Sequence, residues 1–281
     1  MRPFRPWFLA ALLFGGIVGA LPAQAPPPSP TVGVGDLLVA PTRVVFDNRK
    51  RSAELNLSNI GATRATYRVS LIRMEMDEMG TFKERPLDPG TEGLLSLFRF
   101  SPREVTLEAQ ESQTVRVQVR KPAELPVGEY RLHMVFRAVP PASPLTPAPT
   151  EAQKGISIRL TPIYGIAIPL IVRHGETSAK VTIADPSLGE ARRSLRFRLE
   201  RSGNQSIYGD LRATILPANG SPEVLTEATG LAIYMPNTHR IVTLPLPSDR
   251  PLPAGSRIRI TYALPIQEGG TLLAETFLPI H

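Results

Sequence analysis

The sequence predicts an all-β protein of two sandwich-sized domains, and three observations carry that prediction. Run after run alternates apolar and polar residues with a period of two, the spacing at which a half-buried strand sends its side chains to opposite faces. Of the 281 residues 30 are proline, roughly twice the ordinary share, and they cluster between the alternating runs, where they punctuate strands. Helical periodicity is nearly absent. Once a leader of about 25 residues is set aside, enough chain remains for two sandwiches of about 100 residues, each able to bury a core.

The N-terminus sets the compartment. Arg2 and Arg5 precede an apolar run from Trp7 to Ala20, and small residues and prolines follow in LPAQAPPPSP. This is the layout of a cleavable secretory signal, expected over residues 1–25, with a proline-rich segment over 26–35 behind it. The apolar run is short for a spanning helix, and no later segment approaches the ~18 apolar residues that a span needs. The exported chain is expected not to span a membrane.

The first domain is expected over residues 36–172. In LLVAPTRVVFD, Val44 and Phe46 share one face and Arg43 and Val45 the other. Ala53, Leu55 and Leu57 alternate with polar neighbours; after the turn IGAT, Tyr67, Val69 and Leu71 do the same, so these read as adjacent half-buried strands. The polar stretch MEMDEMGTFKERPLDPGTEG reads as a loop or a short edge excursion. Val105 and Leu107, then Val115, Val117 and Val119, form a pair of strands with one buried face. Tyr130, Leu132, Met134 and Phe136 alternate with Arg131, His133, Val135 and Arg137 in the clearest strand of the chain; His133, on the less apolar face, reads as a surface or packing residue.

Residues 139–155 form a proline-rich loop holding Pro140, Pro141, Pro144, Pro147 and Pro149, whose missing amide donors keep it out of any sheet. A structureless loop of this length is uncommon unless it serves a function. It leads into residues 156–160, Ile-Ser-Ile-Arg-Leu, a strict alternation. Such a strand can bury its alternate side chains in its own sheet, or offer them with its backbone edge to another polypeptide. A second domain is expected over 173–281, where AKVTIADP, SLRFRLERSG, DLRATILP, GLAIYMP, HRIVTLPLP, SRIRITYALP and TLLAETFLP make seven closely spaced strand-like runs.

Composition excludes several functions. There are 0 cysteines, so thiol redox chemistry, disulfides and thiolate metal sites are out. The formal charge is +7, or +5 after loss of Arg2 and Arg5 (32−2 basic against 25 acidic residues), and the basic residues are scattered, so no nucleic-acid partner is expected. The four histidines have no metal-ligand spacing, and neither a G-x-S-x-G nor an H-E-x-x-H motif occurs. No enzyme activity, cofactor or metal is expected.

The order of three segments then narrows the reading. In APTRVVFDNRKRSAELNLSN an arginine precedes an apolar pair and an aspartate, followed by a strand ending in Ser-Asn; FSPREVTLEAQESQTVRVQV supplies paired middle strands; LPVGEYRLHMVFRAVPP is a penultimate strand ending in Pro-Pro before a variable loop. In order and spacing these resemble the N-terminal domain of the periplasmic pilus (fimbrial) chaperones, the PapD-like family. The resemblance covers about residues 36–172; the C-terminal half matches only in size and β character. It implies two immunoglobulin-like β-sandwich domains meeting at an angle, with a pilus or fimbrial subunit held in the cleft and an outer-membrane usher receiving it. In that family the last strand of the first domain completes the subunit's unfinished sheet by donor-strand complementation.

Carried over by position, the donor strand is residues 156–160, with Ile156, Ile158 and Leu160 as plugging side chains, and Arg43 falls at the cleft arginine that anchors the subunit's C-terminal carboxylate. A guanidinium suits that task because it grips a carboxylate bidentately and keeps its charge. The pattern by itself also fits teeth that face the chain's own core, and an arginine loosely paired with Asp47 on the same face. The family's second anchor, a lysine just past the plugging residues, is missing here: TPIYGIAIP offers Tyr164, a donor without charge. Gln110 stands where the family commonly has a turn glycine. Self-association through an exposed apolar edge is a further expectation. Two other classes compete: a two-sandwich adhesion or cell-envelope module, and a pilus subunit. A subunit needs an N-terminal extension of alternating apolar residues, whereas residues 26–34 read PPPSPTVGV.

Overall fold

The structure is a computed structural model describing residues 36–140 and 163–281. The expected signal at 1–25, the segment 26–35, the body of the proline-rich loop and the strand expected at 156–160 all lie outside the described residues.

The described residues build two β-sandwiches. The first comprises β1 (Leu37–Ala40), β2 (Val44–Phe46), β3 (Ser52–Asn59), β4 (Ala65–Met76), β5 (Phe82–Arg85), a one-turn helix α1 (Gly93–Ser96), β6 (Phe98–Ser101), β7 (Glu104–Leu107), β8 (Ser112–Val119), β9 (Gly128–Val139) and β10 (Gly165–His174). One sheet runs β1-β3-β8-β6; the facing sheet runs β2-β10-β9-β4-β5, with β7 also paired to β4. The second sandwich comprises β11 (Ala179–Leu188), β12 (Ser194–Gly203), β13 (Ile207–Leu216), β14 (Glu223–Ile233), β15 (His239–Pro245), β16 (Arg257–Ala263) and β17 (Leu272–Pro279). Its sheets run β11-β12-β15 and β14-β13-β16-β17.

Period-two patterning sets these registers. Leu55 and Leu57 on β3, Val115 and Val117 on β8, and Leu132, Met134 and Phe136 on β9 are all buried in one core between the first two sheets. Each such side chain contributes about 1.5–3 kcal/mol on burial, and slipping a strand by one residue would turn its whole apolar row outward. The seven strand-like runs of the second half become β11 to β17, around a core that includes Leu195, Phe197, Leu211, Ile258, Ile260 and Tyr262. Gly209 is required there, because a Cβ would come within 2.4 Å of the Ala263 carbonyl oxygen.

The stretch after Met76 is an edge excursion: it turns at Asp77–Thr81 and returns as β5, which pairs with the end of β4. That hairpin reaches the second sandwich. The Ile241 amide donates to the Glu78 carbonyl at 2.7 Å, and Asn237 Nδ2 to the Met76 carbonyl at 2.7 Å. Between the sandwiches Met76, Ile171, Ala232 and Tyr234 form a small apolar cluster of their own. The middle of the outer face of β9 therefore does not meet water: His133 and Val135 are buried there, with the Phe82 ring set edge-on 5.4 Å from the His133 ring.

Two local expectations are resolved here. Gln110 adopts φ +61°, the left-handed backbone that glycine favours, and its side-chain amide donates to the carbonyls of Ile60 and Gly61 at 2.8 and 3.1 Å. Those two bonds offset the backbone cost. Asp47 accepts from the amides of Arg49 and Lys50 at 2.7 and 2.8 Å, which shapes the β2–β3 turn and lowers the carboxyl's pKa.

Candidate functional site

The candidate site is the cleft between the sandwiches, and the alternation of β2 aims a cation into it. Val44 and Phe46 are fully buried in the first core, so the residues of opposite parity, Arg43 and Val45, face the second sandwich. The Arg43 side chain is 11% exposed, and Nη1 lies 3.7 Å from Glu268 Oε1. Its guanidinium stands 4.5 Å from the Tyr208 ring centroid, a cation–π arrangement that favours the charge. Nε is buried without a hydrogen-bond partner. Arg43 therefore pairs with Glu268 rather than with Asp47. Glu268 is 50% exposed, so the pair contributes at most about 1 kcal/mol.

A cleft of about 510 Å³ opens around this group, and its walls also carry Lys50, Arg173 and Tyr208. Lys50 comes from the turn shaped by Asp47. Arg173, near the end of β10, is held by its partners: Nε lies 3.1 Å from Glu129 Oε2, and Nη2 donates to the Ser206 carbonyl at 3.2 Å. Lys121 Nζ donates to the Arg173 carbonyl at 2.7 Å and fixes the backbone there.

Glu129 is the pin of the junction. Its side chain is 1% exposed, and it accepts from Ser206 twice, from the amide at 3.0 Å and from the hydroxyl. Ser206 Oγ in turn accepts from the Met235 amide at 2.9 Å. Buried Arg201 presents this corner, donating to the carbonyls of Asn237, Gly203 and Gln205 at 2.9, 2.8 and 3.0 Å. A buried carboxylate persists only when its lone pairs are met in this way.

β10 runs from the end of the first sandwich's described residues to the cleft. On one side it pairs with β9 from Gly165 to His174; on the other, β2 pairs in parallel with Leu170–Val172 alone. The outer edge of Gly165–Pro169 thus has no strand partner among the described residues. Tyr164, one step before the strand, is 55% exposed, and its carbonyl accepts from the Ala138 amide at 3.0 Å. It does not line the cleft. Extending the β2–β10 register one step puts Pro169 beside Arg43, which leaves Tyr164 five residues away, about 16 Å along the strand. The structure therefore does not bring Tyr164 and Arg43 together; the cations near Arg43 are Lys50 and Arg173. Ile156, Ile158 and Leu160 lie outside the described residues.

The chain is similar to the solved YadV chaperone, with 12% identity and a TM-score of 0.43 over 86% of this chain and 98% of that one. It is similar to the CupB2 chaperone of Pseudomonas aeruginosa, with 13% identity and a TM-score of 0.42 over 87% of this chain and 100% of that one. It is likewise similar to the structure of Salmonella enterica SafA pilin in complex with the SafB chaperone, with 15% identity and a TM-score of 0.43 over 87% and 96%. No protein-family model matches the chain, and no curated protein does.

Sequence reading missed Glu268, Arg173, Tyr208 and the Glu129–Ser206 pin. Each becomes meaningful only when the second sandwich is placed against the first. Lys50 had a nearer signal, since it lies beyond the Asp47 turn that follows β2.

Proposed function

We propose that this protein is an exported, ATP-independent chaperone for the subunits of a surface fibre, acting in the periplasm of a Gram-negative cell. Residues 156–160 lend a strand to a subunit that lacks one, Ile156, Ile158 and Leu160 fill its groove, and Arg43 receives its C-terminal carboxylate. The observation that carries this reading is the half-open edge of β10, bare over Gly165–Pro169 among the described residues and followed immediately by a cleft holding a part-buried arginine. An added strand on that edge runs along β10 toward the cleft.

Ile166, Ile168, Leu170 and Val172 turn toward the first core. The alternation of the donor segment itself supports the choice of teeth. In residues 156–160 Ile156, Ile158 and Leu160 alternate with Ser157 and Arg159, so an extended segment there can present one apolar row to the subunit's groove. Three aliphatic side chains offer on the order of 5–9 kcal/mol before ordering costs of several kcal/mol, which suits a tight but releasable clamp. The subunit then passes to an outer-membrane usher, and a bare edge of this kind can also pair with a second copy of the chain in the free state.

Co-purification from the periplasm tests the reading. Ile158→Asp and Arg43→Ala should each leave the chaperone folded by circular dichroism while lowering recovery of subunit about tenfold or more, the equivalent of one lost aliphatic contact or one charged bond. Unchanged recovery with both variants refutes strand donation. A subunit gene with an unfinished sandwich and an usher gene beside this reading frame would give independent support.

A further inference from the structure

We propose that Glu268 is a built-in ligand of Arg43: it occupies the anion site of the cleft in the resting protein and is displaced by the carboxylate of an incoming chain. The inference rests on the reading of the cleft as a carboxylate receiver and adds the regulation of that site.

The two partners are held very differently. Arg43 is fixed, 11% exposed, stacked on Tyr208 and attached to β2. Glu268 ends a single 3-10 turn, Ile266–Glu268, at the tip of the β16–β17 hairpin, and Gly269 and Gly270 follow it with φ of +100° and +62°. The tip has no packing anchor, since Ile266 is 82% exposed. A Cβ on Gly270 would meet nothing within 4 Å. Four backbone bonds close the turn, among them Glu268 N to the Pro265 carbonyl at 2.8 Å and Leu264 N to the Thr271 carbonyl at 2.9 Å. None of them holds the Glu268 side chain.

The contact itself is made to be broken. At 3.7 Å the Nη1–Oε1 separation exceeds the roughly 2.7–2.9 Å of a charge-assisted hydrogen bond, so the pair is a charge contact without a directional bond. Nε remains unpartnered. A free carboxylate reaching Arg43 can form the paired N–H···O bonds that Glu268 does not form, while Glu268 swings into water that already covers half of it. Lys50 and Arg173 on the walls keep the cleft attractive to the newcomer. Glu268 carries the chemical group of the ligand it stands in for, so an incoming chain must present a carboxylate to displace it, and a blocked C-terminus gains nothing.

The test uses the whole mature protein and a simple probe. Acetate is titrated against protein labelled with ¹⁵N-arginine, following the Arg43 Nε–H resonance, with acetamide as the neutral control. Removing a competitor of this strength should tighten acetate about three- to fivefold in Glu268→Gln, and in Glu268→Ala, where no side-chain acceptor remains. Acetamide should shift nothing in any variant. Equal or weaker acetate binding in both variants, or an equal response to acetamide, overturns the inference. Both outcomes are separable from the chaperone reading: if acetate tightens as stated while the unmodified protein captures no subunit, the reading fails and the self-ligand stands.

Discussion

His133 shows how a single residue records the architecture around it. It sits on the outward face of β9 beside Arg131, yet it is buried under Phe82, whose ring in turn packs against Tyr234 of the second sandwich. Burial, and then the neighbouring Arg131 charge, lower its pKa from 6.5 to about 3. The sign of the consequence follows from proton counting. Between those two values the unfolded chain takes up a proton that the folded chain refuses, so this stability is complete above about pH 6.5 and is lost as pH falls toward 3, at about 1.4 kcal/mol per pH unit. Urea unfolding of the natural protein and of His133→Gln at pH 7 and pH 4.5 measures it. The natural protein should lose about 2–3 kcal/mol more than the variant over that interval; equal losses would mean that His133 titrates normally.

At the scale of elements, the strands were legible and their partners across the junction were not. Leu55, Leu57, Val115 and Val117 announce their buried face because nothing competes with period-two alternation on a strand with one wet side. The orientation of Arg43 was legible for the same reason, being opposite in parity to Val44 and Phe46. β9 left His133 open between a surface and a packing role, and the structure makes it a packing residue against Phe82; the sequence of one strand carries no mark of what lands on its second face. Glu268 and Arg173 were hidden for that reason too. A buried polar residue at a strand end is a third case. Asn59 closes β3, with Nδ2 donating to the carbonyls of Thr63, Leu107 and Glu108 at 2.7, 3.3 and 3.0 Å, and Oδ1 accepting from the Gly61 amide at 3.0 Å. One side chain thus fastens the β3–β4 turn to the end of β7. Asn59→Ala strands those backbone groups and should cost about 2–4 kcal/mol by chemical denaturation, with faster amide exchange at Gly61; a loss under 0.5 kcal/mol would show that water replaces the side chain at no cost.

For the whole molecule the decisive question is whether the sandwiches act as one body, because a cleft that receives a chain end needs walls at a fixed spacing. Two fastenings answer it. The β4–β5 turn is bonded to β15 through Glu78 and Ile241, and Gly80 there packs against the Arg240 guanidinium with φ +87°. The other is Glu129, which joins β9 to the start of β13 through Ser206 and holds Arg173 at the cleft wall. Glu129→Ala removes the acceptor of both Ser206 donors and the partner of Arg173. Losing one member of a buried pair costs about 3–5 kcal/mol, reduced here to about 2–4 because Arg173 retains some access to water. That loss falls on the contact between the sandwiches and leaves each core intact. Calorimetry should therefore resolve a single transition in the natural protein into two in the variant, with amide exchange rising at Ser206 and Met235 before it rises at Leu132 or Leu211. Glu129→Gln, which keeps an acceptor for Ser206 but no charge for Arg173, should fall between. A variant that melts in one step at an unchanged temperature would place the rigidity of the junction in the apolar cluster of Met76, Ile171, Ala232 and Tyr234 instead.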